Sequence, residues 1–142
     1  MEPKIDAKDR KIIAELKNNS RQTVRDIAKQ TGIRPSTVHQ RITKLRKDGV
    51  IERFTVKLSN TAVGENFIVF MFVSTRSDLL ASFFQNRHIK EVFGITGEYD
   101  LLLKLKFKDV DEFNNFVIGL RKNKAIEKTL TSVATITLKE EI

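Results

Sequence analysis

Hydrophobic residues in the first third of the chain recur at helical spacing, and they predict three short helices. Ile12, Ile13 and Leu16 form one apolar stripe, which predicts a first helix over residues 6–18. Asp6 is a favourable N-cap for this helix, because its side chain accepts a hydrogen bond from an unpaired amide of the first turn. Two further stripes follow before residue 50.

The second stripe predicts a helix over residues 23–30 that ends at a glycine turn. Thr23 is followed three residues later by Asp26, a spacing that is typical of a capping box. Gly32 can adopt the left-handed conformation that a tight turn between helices requires. The residues predicted to be buried on this helix are Val24, Ile27 and Ala28.

The third stripe predicts a helix over residues 35–48. Pro35 is favourable at a first helical position because its missing N–H would be unpaired there, and Gly49 predicts the end of the helix. The apolar face turned toward the first two helices consists of Val38, Ile42 and Leu45. Two short helices, a glycine turn and this third helix predict a helix-turn-helix.

From residue 66 onward the hydrophobic period changes to that of strands, interrupted by two helical segments. Residues 49–58 predict a strand or a hinge, and residues 59–64 predict a loop and a domain boundary. The predicted strands cover residues 66–75, 90–96, 99–107 and 127–139, and the predicted helices cover residues 78–87 and 109–122. The order βαββαβ is that of a ferredoxin-like sandwich.

The fold class predicted is therefore α+β. An N-terminal winged-type helix-turn-helix is expected over residues 1–58, and a C-terminal ferredoxin-like βαββαβ sandwich over residues 59–142. In the strand over residues 66–75 both faces are apolar, so both must be covered. Helices can cover one face, and the sequence predicts that a second copy of the chain covers the other.

Charge divides the chain in the same place. Residues 1–58 contain 15 lysines and arginines against 7 acidic residues, whereas residues 59–142 contain 11 of each. This asymmetry predicts that the N-terminal segment contacts a polyanion such as nucleic acid. The chain contains no cysteine, no apolar run long enough for a membrane span and no signal-peptide pattern after Met1, which predicts a cytoplasmic protein.

The face of the third helix opposite its apolar stripe is polar and basic. Short polar side chains can reach base edges in the DNA major groove, and cations can neutralise phosphates. Residues just before the second helix can contact the DNA backbone, as can the amides at its start. The predicted DNA-binding residues are Arg21, Gln22, Thr23, Arg34, Ser36, Thr37, His39, Gln40, Arg41, Thr43, Lys44 and Lys47.

A solvated three-helix bundle with a basic surface is the alternative to a DNA-binding domain. His39 fits either a DNA contact or a position on the rim of the contact. Arg34 occupies a position where a small capping residue is usual, so it predicts either a weakly capped helix or a contact to phosphate or base.

At this point the chain resembles the Lrp/AsnC family of prokaryotic transcription regulators. The resemblance covers nearly the whole length and rests on segments 9–13, 26–28, 36–45 and 48–51 together with the Gly-Glu-Tyr-Asp motif at 97–100. It implies a regulator that binds double-stranded DNA, forms dimers or octamers and binds an amino acid between dimers. It also implies that the effector site includes Thr96, Gly97, Glu98, Tyr99 and Asp100.

The same turn has a second interpretation, since glycine and acidic residues also favour a tight connection between strands without any ligand. If it binds an amino acid, Asp100 is a candidate partner for the ammonium group. The first helix of the second domain is short for the family, which leaves the outline of the effector pocket open.

No enzymatic chemistry is favoured by the residues present. His39 and His88 are the two histidines, and they lie in different predicted domains, so no metal site or cofactor is predicted. The acidic residues 109–112 are explained by helix capping. Gly94 to Gly97 is similar to a KH-domain loop but lies between strands. The aromatic residues in the predicted strand over residues 66–75 have no lysine or arginine between them, which argues against an RNA-binding sheet.

One enzyme class resembles the same two-domain architecture, namely the sirohaem-type tetrapyrrole decarboxylases. Such an enzyme requires histidine and arginine together in the second domain, where the chain offers His88 with Arg87 or Arg76. The basic recognition face favours a regulator over this enzyme.

Overall fold

The computed structural model describes residues 2–142. The chain forms two compact units. The N-terminal unit extends to Lys57 and takes in Ile142, and the C-terminal unit covers Leu58–Glu141. The N-terminal unit holds α1 (Ala7–Asn18), α2 (Val24–Thr31) and α3 (Pro35–Lys47).

The first two helices begin with complete capping boxes. The Asp6 carboxylate accepts a hydrogen bond from the Asp9 amide, and the Asp9 carboxylate accepts one from the Asp6 amide. Thr23 and Asp26 form the same reciprocal pair at α2. The capping box at Thr23 and the N-cap at Asp6 were both predicted, and the reciprocal bond from the Asp6 amide to Asp9 is an addition of the structure.

The three helices pack around one small core. Its buried members are Ile12, Ile27, Ala28, Ile33 and Val38. After α3, residues 52–58 form neither helix nor strand, so of the two predicted alternatives the segment is not a strand.

The C-terminal unit is a four-stranded antiparallel sheet with helices on one face. Its elements are β1 (Phe67–Thr75), α4 (Ala81–Phe84), β2 (Ile89–Gly94), β3 (Leu101–Phe107), α5 (Val110–Arg121) and β4 (Ile126–Val133). The strand order β2-β3-β1-β4 places β1 and β3 at the centre. This is the ferredoxin-like arrangement that the βαββαβ order predicts.

The inner face of the sheet is the face turned toward α5, and its central strands are buried. Leu103, Leu105 and Phe107 of β3 are fully buried, and Leu120 of α5 packs with them. Val69, Met71 and Val73 lie on the same face of β1, as the alternation predicts.

The outer face carries an apolar row that crosses all four strands. Phe93 pairs with Leu102, Leu102 with Phe72, and Phe72 with Leu130. The two ends of this outer row, Phe93 and Leu130, are 53% and 50% exposed.

Two predicted elements are shorter in the structure. The helix predicted over residues 78–87 forms only at Ala81–Phe84, because no side chain caps its start and the Asn86 side chain instead accepts a hydrogen bond from the His88 amide. The last strand, predicted to reach residue 139, ends at Val133, which pairs with Val69 of β1. The Ala134 amide still donates a hydrogen bond to the Ile68 carbonyl at 2.9 Å, and the pairing does not continue beyond it.

The helix over residues 109–122 begins as predicted at Asp109, whose carboxylate accepts the Glu112 amide at 2.9 Å. The expected reciprocal bond is absent. The Glu112 carboxylate accepts the Lys108 amide at 2.7 Å instead, one residue before the cap.

Candidate nucleic-acid interface and ligand pocket

The turn between α2 and α3 is closed by Gly32. Its φ of 71° is left-handed, and its amide donates a hydrogen bond to the Ala28 carbonyl at 2.9 Å. The following residue, Ile33, is buried in the helical core. The direction of α3 is therefore set by one glycine torsion and one apolar anchor.

The polar face of α3 holds four exposed side chains for which the described chain supplies no hydrogen-bond partner, namely Ser36, His39, Gln40 and Lys47. Arg34, the N-cap of α3, is also exposed and makes no side-chain capping bond. Thr37 is half-buried. Unpaired donors and acceptors on one helix face are available to an external partner.

Three other residues predicted on this face have partners within the chain. The Thr43 hydroxyl donates to the His39 carbonyl at 3.0 Å. Lys44 forms an ion pair with Asp48 at 2.7 Å, which raises the pKa of Lys44. Arg41 contacts Asp6 and Asp9 of α1 through its guanidinium.

The predicted DNA-binding residues just before α2 differ in whether their side chains are free to contact an external partner. Arg21 is exposed and its side chain is unpaired among residues 2–142. The side-chain amide of Gln22 donates a hydrogen bond to the Glu15 carbonyl at 2.9 Å, and Gln22 is half-buried. Thr23 is engaged in the capping box, and its hydrogen bonds to Asp26 lower the pKa of that carboxyl.

The turn at 96–100 is tied to the sheet by Asp100. The Asp100 carboxylate accepts hydrogen bonds from the Thr75 amide at 2.6 Å and from the Thr75 hydroxyl at 3.0 Å. Gly97 has a φ of 115°, which glycine adopts without strain. Thr96 is exposed. The local bonds of Asp100 account for its presence in the turn without a ligand.

Glu98 and Tyr99 meet at Lys128 of β4. The Lys128 ammonium forms an ion pair with Glu98 and lies 5.1 Å from the centre of the Tyr99 ring. The bond to Glu98 raises the pKa of Lys128 despite some loss of solvation. The Tyr99 ring in turn lies 5.7 Å from the Phe72 ring.

A cavity of about 500 Å³ opens between α5 and β4. Its lining combines apolar side chains with amide, hydroxyl and charged groups. The lining residues are Phe113, Asn114, Val117, Leu120, Arg121, Ile126, Glu127, Lys128, Thr129 and Thr131. None of residues 96–100 lines this cavity, and Lys128 is the residue that connects it to the turn.

Sequence patterning did not single out this cavity, because α5 and β4 are each ordinary amphipathic elements. The alternation of threonines along β4 was visible, but which threonines face α5 depends on the pairing of β4 with β1. No cluster of potential metal ligands is found across residues 2–142. Within that range, none of the helices combines the length and apolar character that crossing a membrane requires.

Two family models match the two units separately. A winged helix-turn-helix DNA-binding model matches residues 5–52, and an Lrp/AsnC ligand binding domain model matches residues 69–142. The first match contains α1, α2 and α3, and the second contains nearly the whole sheet.

Similar proteins match over nearly the full chain. The HTH-type transcriptional regulator FL11 of Pyrococcus horikoshii is 35% identical over 140 residues, covering 96% of this chain and 93% of its own length. FL11 of Pyrococcus furiosus is 33% identical over 140 residues, with 96% and 93% covered.

The fold is shared with solved structures. A transcriptional regulator from Neisseria meningitidis, solved as a complex with L-Met, aligns with a TM-score of 0.90 at 25% identity, covering 97% of this chain and 94% of that one. AsnC of E. coli aligns with a TM-score of 0.89 at 24% identity, covering 99% and 98%.

Proposed function

This chain belongs to the Lrp/AsnC family of transcription regulators, and from that premise we propose that it recognises specific sequences in double-stranded DNA through α3. The observation that carries the proposal is the row of exposed, unpaired side chains on this helix, at Ser36, His39, Gln40 and Lys47. The net positive charge of the chain is concentrated in the same unit.

The roles of these residues follow from reach and charge. Ser36, His39 and Gln40 lie in the N-terminal half of α3, the part of a recognition helix that contacts base edges. The Gln40 amide can pair with adenine through two hydrogen bonds. Arg21, Arg34 and Lys47 are exposed cations suited to phosphates.

Thr43 and Lys44 are available to DNA only if they exchange a partner within the chain. Gln22, Thr23 and Arg41 have structural partners, so their contribution to the interface is chiefly to shape it. Thr37, half-buried beside them, is at the margin of the contact.

The protein is proposed to act as a homodimer, with two recognition helices presented to successive major grooves about 34 Å apart. The outer row supports this assembly, because apolar side chains half exposed at both ends of a sheet face favour burial against a second copy. The operator is then expected to be nearly palindromic. Dimers can associate further into octamers.

The C-terminal unit is proposed to bind an amino acid in the cavity between α5 and β4. Arg121 and Lys128 are suited to its carboxylate, Glu127 to its ammonium group, and the apolar part of the lining to its side chain. Lys128 also contacts Glu98 and Tyr99, so a ligand that recruits the Lys128 ammonium would act on the turn over residues 96–100.

A regulator rather than a tetrapyrrole decarboxylase is favoured by the setting of His88. Its Nδ1 lies 2.9 Å from the Lys106 carbonyl oxygen, and its ring stacks on Phe107 with centroids 4.6 Å apart. The ring is thus held against the sheet, and its Nε2 lies 3.4 Å from the Arg87 Nε and 3.7 Å from the Glu112 carboxylate. A Soret absorbance change on mixing the protein with sirohaem would contradict this inference.

Selection of duplexes from a random pool by the purified protein tests the DNA proposal. Gln40→Ala is expected to relax sequence preference, whereas Lys47→Ala is expected to weaken binding to all duplexes alike. Equal effects of both changes on selected and random duplexes would contradict the roles assigned.

Isothermal titration calorimetry with the common amino acids tests the ligand proposal. Thr131→Phe, which fills the cavity from β4, is expected to abolish the heat of binding, and Thr135→Phe at an exposed position outside the cavity is the matched control. If no amino acid gives heat with the wild-type protein, the ligand proposal fails and the DNA proposal is unaffected.

A further inference from the structure

Arg41 lies in the middle of α3 but turns away from the proposed DNA surface. Its guanidinium Nη1 contacts a carboxylate oxygen of Asp6 and lies 3.2 Å from a carboxylate oxygen of Asp9. The Arg41 side chain is 28% exposed, and that of Asp9 is 8% exposed. Its guanidinium can reach a phosphate only by giving up one or both of these carboxylates.

The two carboxylates are themselves fixed by the capping box of α1. Asp6 Oδ1 accepts the Asp9 amide at 2.9 Å, and Asp9 Oδ2 accepts the Asp6 amide at 3.1 Å. The two remaining oxygens, Asp6 Oδ2 and Asp9 Oδ1, are those that Arg41 contacts. Every carboxylate oxygen of the pair therefore has a partner, and the positions of both are determined by the first turn of α1.

This arrangement connects the first turn of α1 to the midpoint of α3. Arg41 follows Gln40 directly, so the bonds of Arg41 restrict how far α3 can rotate about its own axis. One guanidinium nitrogen, Nη1, contacts both fixed carboxylates, so the end of the Arg41 side chain is held at the start of α1. Base readout depends on such restriction, because a paired amide must meet two base atoms at once.

We propose that Arg41 is a positioning residue, which aims Gln40 and its neighbours at base edges by anchoring α3 to the capping box of α1, and which neutralises no phosphate. This inference rests on the proposed DNA binding. It assigns to an arginine of the recognition helix a role in sequence discrimination without contact to DNA.

The dependence of DNA affinity on salt concentration distinguishes a residue that contacts phosphate from one that positions α3. Each phosphate contact adds about 0.9 to the slope of log K against log salt concentration on B-DNA. Lys47→Ala is therefore expected to reduce the slope by about one and to weaken binding to selected and random duplexes equally. Arg41→Met is expected to leave the slope unchanged and to lower the preference for the selected duplex by about tenfold.

Removal of the carboxylates provides an independent check. The Asp6→Asn/Asp9→Asn variant, which removes both carboxylates that Arg41 contacts, is expected to reproduce the lost preference of Arg41→Met. Adding Arg41→Met to it is expected to cause no further loss, because both changes remove the same linkage. A slope reduced by one unit in Arg41→Met with its preference intact would overturn the proposal and make Arg41 a phosphate contact.

A measurement without DNA keeps the inference separate from the proposed function. In ¹H–¹⁵N spectra of the full chain, Arg41→Met and Asp6→Asn are expected to shift the amides of residues 36–43, whereas Lys47→Ala is expected to shift only its neighbours. If Arg41→Met does not fold, Arg41→Lys replaces it and is expected to shift the same amides.

Unshifted amides in a folded Arg41 variant would overturn the positioning role. Failure of the wild-type protein to prefer any duplex would instead overturn the proposed function, and the spectra would still decide whether Arg41 positions α3.

Discussion

The ammonium group of Lys104 lies 2.8 Å from a carboxylate oxygen of Glu140, which links the middle of β3 to the segment after β4. The other oxygen of Glu140 lies 2.9 Å from the Lys106 ammonium and accepts a hydrogen bond from the Asn60 amide at 3.1 Å. Burial disfavours the charged form of Lys104, yet the carboxylates of Glu140 and Glu91 raise its pKa above the ordinary value. The C-terminal segment is thus fastened to the outer face of the sheet by a largely buried ionic cluster.

Glu140→Gln is expected to lower the free energy of unfolding of the C-terminal unit by about 2 kcal/mol, because Lys106 loses its carboxylate partner and Lys104 keeps only the more distant Glu91. Tyr99 is the single tyrosine of a chain without tryptophan, so its fluorescence during urea unfolding reports on this unit alone.

The matched control is Glu141→Gln. The Glu141 carboxylate is 69% exposed and pairs with Lys139 at the surface, so the expected change is below about 0.5 kcal/mol. Equal effects of the two substitutions would show that the cluster around Glu140 contributes nothing.

Acid is expected to destabilise the N-terminal unit through Asp6. Hydrogen bonds from the Asp9 amide and from Arg41 lower the pKa of Asp6 from 3.8 to about 2. A lowered carboxyl pKa adds stability that is fully present above 3.8 and is lost as the pH falls through about 2. The Asp6→Asn variant should therefore lose less thermal stability than the wild type between pH 5 and pH 2.

The amide signal of Ile12 in the helical core, followed during thermal unfolding at each pH, measures this difference. Parallel pH profiles for the two proteins would contradict the role of Asp6. The variant still accepts the Asp9 amide through its side-chain oxygen, so it removes the charge and preserves most of the cap.

Arg34→Ser is expected to stabilise the N-terminal unit while weakening its affinity for DNA. Arg34 is the N-cap of α3 and makes no capping bond, whereas a serine hydroxyl can accept an amide of the first turn. The expected gain is about 0.5–1 kcal/mol in urea unfolding. Arg25→Ser, an exposed substitution inside α2, is the control and should not stabilise the unit.

Leu130→Lys is expected to shift the protein toward monomers. Leu130 is half exposed at the end of the outer row, and a charge there would be desolvated against a second copy. Sedimentation equilibrium measures the dissociation constant, and Thr137→Lys in the exposed C-terminal segment is the control. Unchanged association in Leu130→Lys would place the self-association surface elsewhere.

The sequence predicted best those features that short-range geometry determines. The caps at Asp6, Thr23 and Asp109 follow from contacts between residues three apart, and the alternation along β3 identified its buried face. The α+β class and the strand order followed from these elements.

Features that depend on distant partners were not predictable from local patterns. In the sequence, Arg41 cannot be distinguished from other cations on the side of a helix. Its role depends on the two carboxylates at the start of α1, which only the fold brings beside it. The end of β4 depends on its pairing with β1, and the cavity depends on the spacing between α5 and β4.

Gly32 has a consequence for protein chemistry. An L-configured Cβ added there would meet no atom within 4 Å apart from its chain neighbours, so the left-handed φ of 71°, and not crowding, is what favours glycine at this position. The mirror-image amino acid D-alanine favours that torsion and restricts the unfolded chain, which should add about 0.4–1 kcal/mol to a domain made by peptide ligation. Natural L-residues with a side chain are penalised at this position by chirality alone.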